Sequence, residues 1–374
     1  MDRDLNIVAI SDIHVGCPRL NPCLLHDRFV KYLYPCIDKS TDILFICGDF
    51  FDTLLNLNSR ASLESMIIID ELKRLCRENE CDLRILRGTY THDRDQPQHF
   101  VNGDDPSDNS VRLYDKLAFE YNERTGLNIL YVPDNLPNVD ICKDMRDLLD
   151  AHNVDKADIL VHHGYFKHML PPNIKEPHGC LTVDAVSSLV KGCTLNGHVH
   201  LTSIYKNVIS IGSFDRLVHG EEGPKGFYKI RISPDGVYHF SFVENKEANK
   251  FLTFDMRTFG STGTDAVQFF SKKWSELVKT FRPHELVRIR ILSDDQAIIE
   301  GCSQVARDMW ADVGVDKATV TKREQILENV NMGLDELPTI TPENLGELLV
   351  PIVQKKAPHI TLSDIRSVLD TCGK

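Results

Sequence analysis

The 374-residue chain is predicted to be an α/β protein with a largely parallel sheet covered by helices on both sides. Three observations predict this. Apolar runs of strand length alternate with segments of helical period over the first 200 residues. The runs are near-continuous Ile, Leu and Val, as strands buried on both faces require. Polar clusters rich in Asp and His follow the runs directly, at the carboxyl ends where open α/β sheets keep their ligand crevice.

Leu5–Ile10 (LNIVAI) is the first strand, and 42–47 (DILFIC) and 81–86 (CDLRIL) repeat the type. Residues 24–38 and 59–78 have helical period, the second through Leu63, Met66, Ile67 and Leu75. Such crossovers are right-handed and place parallel strands side by side. Leu127–Val132, helical Ile141–Ala151, strand 158–161, helical 182–190 and a short strand ending at Asn196 continue the alternation. After residue 200 short strands take over: 207–211, then 227–232 and 237–242 around the turn sequence Ser-Pro-Asp-Gly. They read as antiparallel strands completing the same domain, and the polar 244–250 reads as a linker.

Beyond it, 286–292 alternates Val287, Ile289 and Ile291 with Arg288 and Arg290, a half-buried strand, and Thr-Val-Thr after Ala318 is a second, with a helix between. Two helix starts follow, Thr341-Pro342 as N-cap and N1 proline and Thr361-x-x-Asp364 as a capping-box-like pair. The expected domains are 1–245, an α+β domain at 246–335 and a helical segment at 336–374.

Composition narrows the function. A net charge of −12, from 55 acidic and 43 basic residues, repels phosphate backbones and argues against indiscriminate nucleic-acid binding unless bound cations or a local basic groove reverse it. Eleven cysteines with no C-x-x-C pair point to reduced thiols rather than a zinc ribbon or a redox motif. The absence of an apolar leader or membrane-length run leads to the expectation of a soluble, cytoplasmic protein with no membrane partner.

The strand ends carry Ser11-Asp12-Ile13-His14, Gly48-Asp49-Phe50-Phe51-Asp52, Arg87-Gly-Thr-Tyr-Thr-His92-Asp93, His162-His163-Gly164 and Gly197-His198-Val199-His200. Asp-x-His and His-x-His put two side chains on one side of an extended segment, so both can converge on one ion. Mixed carboxylate and imidazole ligands suit Mn, Fe or Zn. Asp12, His14, Asp49, His162, His198 and His200 are too many ligands for one tetrahedral ion, and two ions about 3.5–4 Å apart activate water against phosphate esters.

Asp12-x-His14, Gly48-Asp49-x-x-Asp52, His92-Asp93, His162 and Gly197-His198-x-His200 resemble the ordered motifs of the calcineurin-like metallophosphoesterases, over about residues 5–200. The resemblance implies a four-layer αββα sandwich. It implies one ion on Asp12, His14 and His200, another on His162 and His198, a bridging Asp49, and Asp52 orienting its neighbours. His92 assists the leaving group, with Asp93 orienting it. The family uses the histidine directly after the strand, hence His162 rather than His163. Its third motif is Gly-Asn-His-Asp/Glu; here the loop is two residues longer and lacks the metal-binding Asn. Thr91, water or substrate is expected to stand in, and the second ion to bind less tightly than the first.

Ile211-Gly-Ser-Phe-Asp-Arg216 through Gly220-Glu221 and Lys225-Gly-Phe227 is similar to a segment of SbcD-type double-strand-break repair nucleases, including phage versions, which share the lengthened third motif. This implies a manganese-dependent exonuclease or endonuclease acting on DNA in repair or recombination, with Mg, Fe or Zn as other ions. It also implies a small α+β capping domain, a C-terminal helical segment docking on an SbcC-type coiled-coil ATPase, and residence in the cytoplasm, the host's if phage-encoded. Arg87, Arg94 and Arg216 are the candidate cleft cations. Dimers through helices of the catalytic domain are usual in such nucleases, so the resemblance also allows a homodimer. Two other classes share parts of the pattern: a phosphoesterase acting on a small molecule or phosphoprotein would carry every metal motif, and a non-catalytic subunit of a repair complex would keep the tail.

Overall fold

A computed structural model describes residues 3–103, 108–134, 140–171, 174–258, 263–281, 285–293, 295–311 and 313–319. The chain is a mixed α/β protein with two six-stranded mixed sheets. The helices expected from Thr341-Pro342 and Thr361, with the segment 336–374, lie outside the described residues. Among the described residues no helix is long and apolar enough to cross a membrane.

The first unit comprises Met1–Phe254, Lys279–Arg288 and Asp312–Gly314. One of its sheets holds β1 (Leu5–Ile10), β2 (Ile43–Cys47), β3 (Asp82–Leu86) and β4 (Val111–Tyr114), mutually parallel and extended past β1 by antiparallel β11 (Gly226–Ile232) and β12 (Tyr238–Glu244). The other runs β5 (Ala118–Asn122), β6 (Leu127–Val132), β7 (Ala157–His163), β8 (Val190–Gly197), β10 (Val208–Ser210), β9 (Ser203–Tyr205), with β6, β7, β8 and β10 parallel.

Alternate strand residues feed separate cores. Ile7, Ala9, Phe45 and Cys47 meet Ile129, Tyr131, Ile159 and Val161 of the other sheet. On the opposite face Val8, Ile10, Leu44 and Ile46 pack with Leu25 of α1 (Pro22–Arg28) and Ile68, Ile69 and Leu72 of α2 (Arg60–Glu78). Beyond the second sheet Leu130, Val132 and Leu160 pack with Met145 and Leu149 of α4 (Ile141–Ala151) and Val186 of α5 (Val183–Ser187). One core therefore lies between the sheets, and one lies under the helices on each outer face.

Several elements differ from the sequence pattern. Residues 24–38 are not one helix: α1 ends at Arg28, a π-turn covers Phe29–Leu33, and Pro35 sits in a 3-10 turn. On α2 the buried stripe is Ser65, Ile68, Ile69, Leu72 and Cys76, while Leu63 is 52% exposed, so the apolar face is rotated from the one expected. Strands β4, β5 and β9 are only four, five and three residues long and carry no unbroken apolar run that would stand out in the sequence.

The second unit is built on Asp255–Val278 and Ile289–Ala311. Phe270 and Trp274 of α6 (Gly263–Val278) and Ile298, Ile299 and Cys302 of α7 (Gln296–Met309) are buried. A three-stranded sheet runs in the order β13 (Phe251–Thr258), β14 (Leu286–Ser293), β15 (Gly314–Thr319).

Candidate metal centre

Register brings the polar strand ends to one edge: Ile10 pairs with Ile46, Cys47 with Leu86, His162 with Asn196 and His163 with Gly197. Past the strands Asp12 N–H donates to the Gly48 carbonyl, and both Ile13 and His14 donate to that of Asp49, tying the first two loops together. Gly48, at φ +92°, lies so close to the His163 ring that a Cβ would sit 2.2 Å from its Nδ1, and one on Gly88 would sit 2.2 Å from Asp49 N.

Asp12, His14, Asp49 and His198 all have positive φ, between 50° and 83°. For non-glycine residues this costs on the order of 1–3 kcal/mol each and concentrates at functional sites. The surrounding hydrogen bonds hold them there. Asp93, fully buried, accepts from the N–H groups of Asp49, Phe51 and Gly88, and the Asp12 carboxylate accepts from His198 N–H.

Three overlapping groups converge: Asp12, His14 and His200; His14, Asp49 and His92; Asp49, His163 and His198. Four of their five imidazoles are oriented by their second nitrogens. His14 Nδ1 meets Asp52 Oδ1 at 3.1 Å, His92 Nδ1 the Asp52 carbonyl at 2.5 Å, His163 Nδ1 the Cys47 carbonyl at 2.7 Å, and His200 Nδ1 Glu221 Oε1 at 2.8 Å. Each partner is an acceptor, so each Nδ1 donates and Nε2 is left to face the group, the arrangement that orients metal-binding histidines. His14 Nε2 is buried without a hydrogen-bond partner. That orphaned nitrogen among carboxylates is what a cation would satisfy, and the donor set fits divalent ions of the Mn, Fe or Zn type.

The electrostatics agree. Burial pushes the Asp49 carboxyl up, but the His163, His14 and His92 rings outweigh it and hold Asp49 well below the usual range. Burial opposes the charge on His163, and Asp49, with Oδ2 3.2 Å from Nε2, overrides it and raises the imidazole. A cation taking Nε2 would replace that proton, since a ligating imidazole must be neutral. Burial resists charge on Glu221 too, yet His200, the Leu217 N–H and Lys225 lower it to about 2.

Five of the six expected ligands, Asp12, His14, Asp49, His198 and His200, come together here with His92. His162 does not join them. Its Nδ1 lies 2.5 Å from Asn196 Oδ1, its ring stands against Phe166, and burial lowers it to about 3. His163 occupies the expected place, because adjacent strand residues point to opposite faces and the odd-numbered face of β7 looks toward Asp49. In the third loop, which runs into the one-turn α3 (Tyr90–Asp93), Thr91 is exposed, and Thr89 is the residue at the centre. Its N–H donates to Asp49 Oδ1 at 2.6 Å, and its hydroxyl lies 3.3 Å from Asp49 Oδ2, 3.3 Å from His198 Nδ1 and 3.5 Å from His163 Nε2.

Asp93 braces backbone rather than orienting the His92 ring, while Asp52 orients His14 and His92. Arg216 is not a cleft cation: its guanidinium donates to the carbonyls of Glu221, Gly223, Ala248 and Asn249. Arg87 is half-buried with its guanidinium 5.8 Å from the Tyr90 ring, and Arg94 is exposed. Glu221 and Lys225 act through the segment that carries them: Lys225 Nζ donates to the His200 carbonyl, Ser213 Oγ and Glu221 Oε2. The sequence signal for Glu221 was its Gly-Glu pair; Thr89 had none beyond adjacency to Gly88.

No family model and no curated protein matches the chain. Among solved structures, one crystal structure aligns over 64% of this chain and 99% of its own, at 13% identity and a TM-score of 0.36, a likeness that carries no argument about fold or function.

Proposed function

We propose that the chain is a metal-dependent phosphodiesterase of the calcineurin-like kind, with the αββα sandwich of that family and DNA as its substrate. One observation carries the chemistry: Asp49 belongs to two of the three ligand groups and lies between Nε2 of His14 and Nε2 of His163, so one carboxylate can bridge two cations. Two divalent ions, most simply manganese, would be held by Asp12, His14 and His200 and by His163 and His198 across Asp49. When bound they supply charge neutralisation at phosphorus and an activated water.

The chain's own residues supply the rest. His92, locked through Nδ1 onto the Asp52 carbonyl, presents Nε2 beside the His14 ring, 4.8 Å between centroids, where it can hold a proton for the departing oxygen. Thr89 positions Asp49 and His198 where the family's Asn would ligate. The DNA assignment rests on the likeness of 211–228 and of the lengthened third loop to SbcD-type nucleases, and Glu221 and Lys225 link that segment to His200. End processing together with an SbcC-type ATPase belongs to the same reading.

A manganese-dependent assay on labelled duplex DNA, with a chromogenic phosphodiester in parallel, tests it. DNA cleavage that falls about 10²–10⁴-fold in His92→Ala with metal binding retained is expected. Cleavage of only the chromogenic ester indicates a small-molecule phosphoesterase, and no turnover a binding subunit.

A further inference from the structure

Beside the Asp49–His163–His198 group lies a cavity of about 310 Å³, at the lower end of the roughly 300–1,000 Å³ typical of ligand pockets. His163, His198 and Thr89 line it next to the group, and Pro133, Pro177 and Tyr165 are among its other walls. Tyr165 stands perpendicular to His198 with ring centroids 4.3 Å apart, and it is 36% exposed, so part of the ring remains open to a partner. Among the described lining residues none is Lys or Arg, and Asp134 adds a carboxylate. Apart from the histidines His162, His163, His178 and His198, the cavity thus offers no cationic side chain to a second phosphate. A flat, uncharged group suits an aromatic and proline wall better.

We propose that this pocket takes one unstacked nucleobase of the nucleotide whose phosphate is cleaved, with Tyr165 as the residue that stacks on it and sets the preference for a nucleotide over a bare sugar phosphate. The proposal rests on the phosphodiesterase reading of the adjacent ligand groups. Aromatic side chains stack on any base face, which gives affinity with little sequence preference. A base held in a duplex cannot enter a pocket of this size without leaving its stack, so the consequence is a preference for frayed or single-stranded ends.

The test is calorimetric titration of the full chain with Mn²⁺ and either deoxyadenosine 5′-monophosphate or deoxyribose 5-phosphate. The nucleotide is expected to bind the wild type at least about tenfold tighter than the sugar phosphate, within the range base stacking supplies. Tyr165→Ala should bring that ratio to nearly one, and Tyr165→Phe should keep it. Equal binding of the two ligands by the wild type, or an undiminished ratio in Tyr165→Ala, overturns the proposal. Wild-type hydrolysis of bis(p-nitrophenyl) phosphate separates this from the underlying reading: hydrolysis without discrimination sinks the base pocket alone, and discrimination without hydrolysis sinks the phosphodiesterase alone.

Discussion

Replacing Glu221 with glutamine measures how far the first ligand group depends on a residue outside it. Oε1 of Glu221 accepts from His200 Nδ1 at 2.8 Å, and Oε2 accepts from Leu217 N–H and Lys225 Nζ, each at 3.0 Å. All three partners are donors. Glutamine has one acceptor oxygen, so either His200 loses its partner or Leu217 and Lys225 face an N–H₂ group. Loss of such an orienting acceptor typically costs 10–100-fold in metal affinity, about 1.4–2.7 kcal/mol. The carboxylate is held near 2, so the difference should persist across neutral pH. Calorimetric Mn²⁺ titration, with circular dichroism to confirm folding, should show one site weakened by that factor and the Asp49–His163–His198 site within about threefold of wild type. Equal weakening at both sites, or none at either, would refute the reasoning.

Glu120→Gln leaves the Arg84 guanidinium, 2% exposed, without its main countercharge and should cost about 3–5 kcal/mol in urea unfolding. Burial opposes the Glu120 charge, but Arg84 and the hydroxyls of Tyr131 and Tyr114 lower its folded value below the ordinary 4.5. Its stabilisation is therefore complete above pH 4.5 and fades as pH falls through the folded value, so the wild type's acid limb should be steeper than the variant's. Gly48→Ala places a methyl 2.2 Å from His163 Nδ1 at φ +92°, which should lower the melting temperature and abolish tight binding at the second site in Mn²⁺ titration. Thr89→Ala should weaken that same site several-fold while sparing the other, measured by the same titration.

Much of the first unit was legible because its strands are long, apolar and bounded. Leu5–Ile10 and Leu127–Val132 coincide with their sequence signals, and 42–47 and 81–86 each differ by one residue at the start. Strands β4 and β5 were not legible: VRLY and AFEYN are short and each is interrupted by a charged residue, Arg112 or Glu120, and they hold their places by pairing with β3 and β6. The α2 stripe was misplaced because Leu63 and Met66 are apolar yet outward-facing, while Glu64 and Ser65 are buried. Which apolar positions face inward depends on the sheet beneath the helix.

By itself the sequence determined which residue types stand at the strand ends, since a period-2 strand that stops abruptly must deliver Asp12, Asp49 and the later histidines to one edge. It could not choose between His162 and His163. Strand β7 is buried on both faces, so its alternation carries no polarity to show which side looks toward Asp49. Packing of the two sheets made that choice by putting Ile159, Val161 and His163 on the inner face and Leu160 and His162 on the outer one, His162 against Phe166. The same holds for Thr89 and Glu221, whose partners lie 40 and 21 residues away and meet them only when the loops close over the sheet edge.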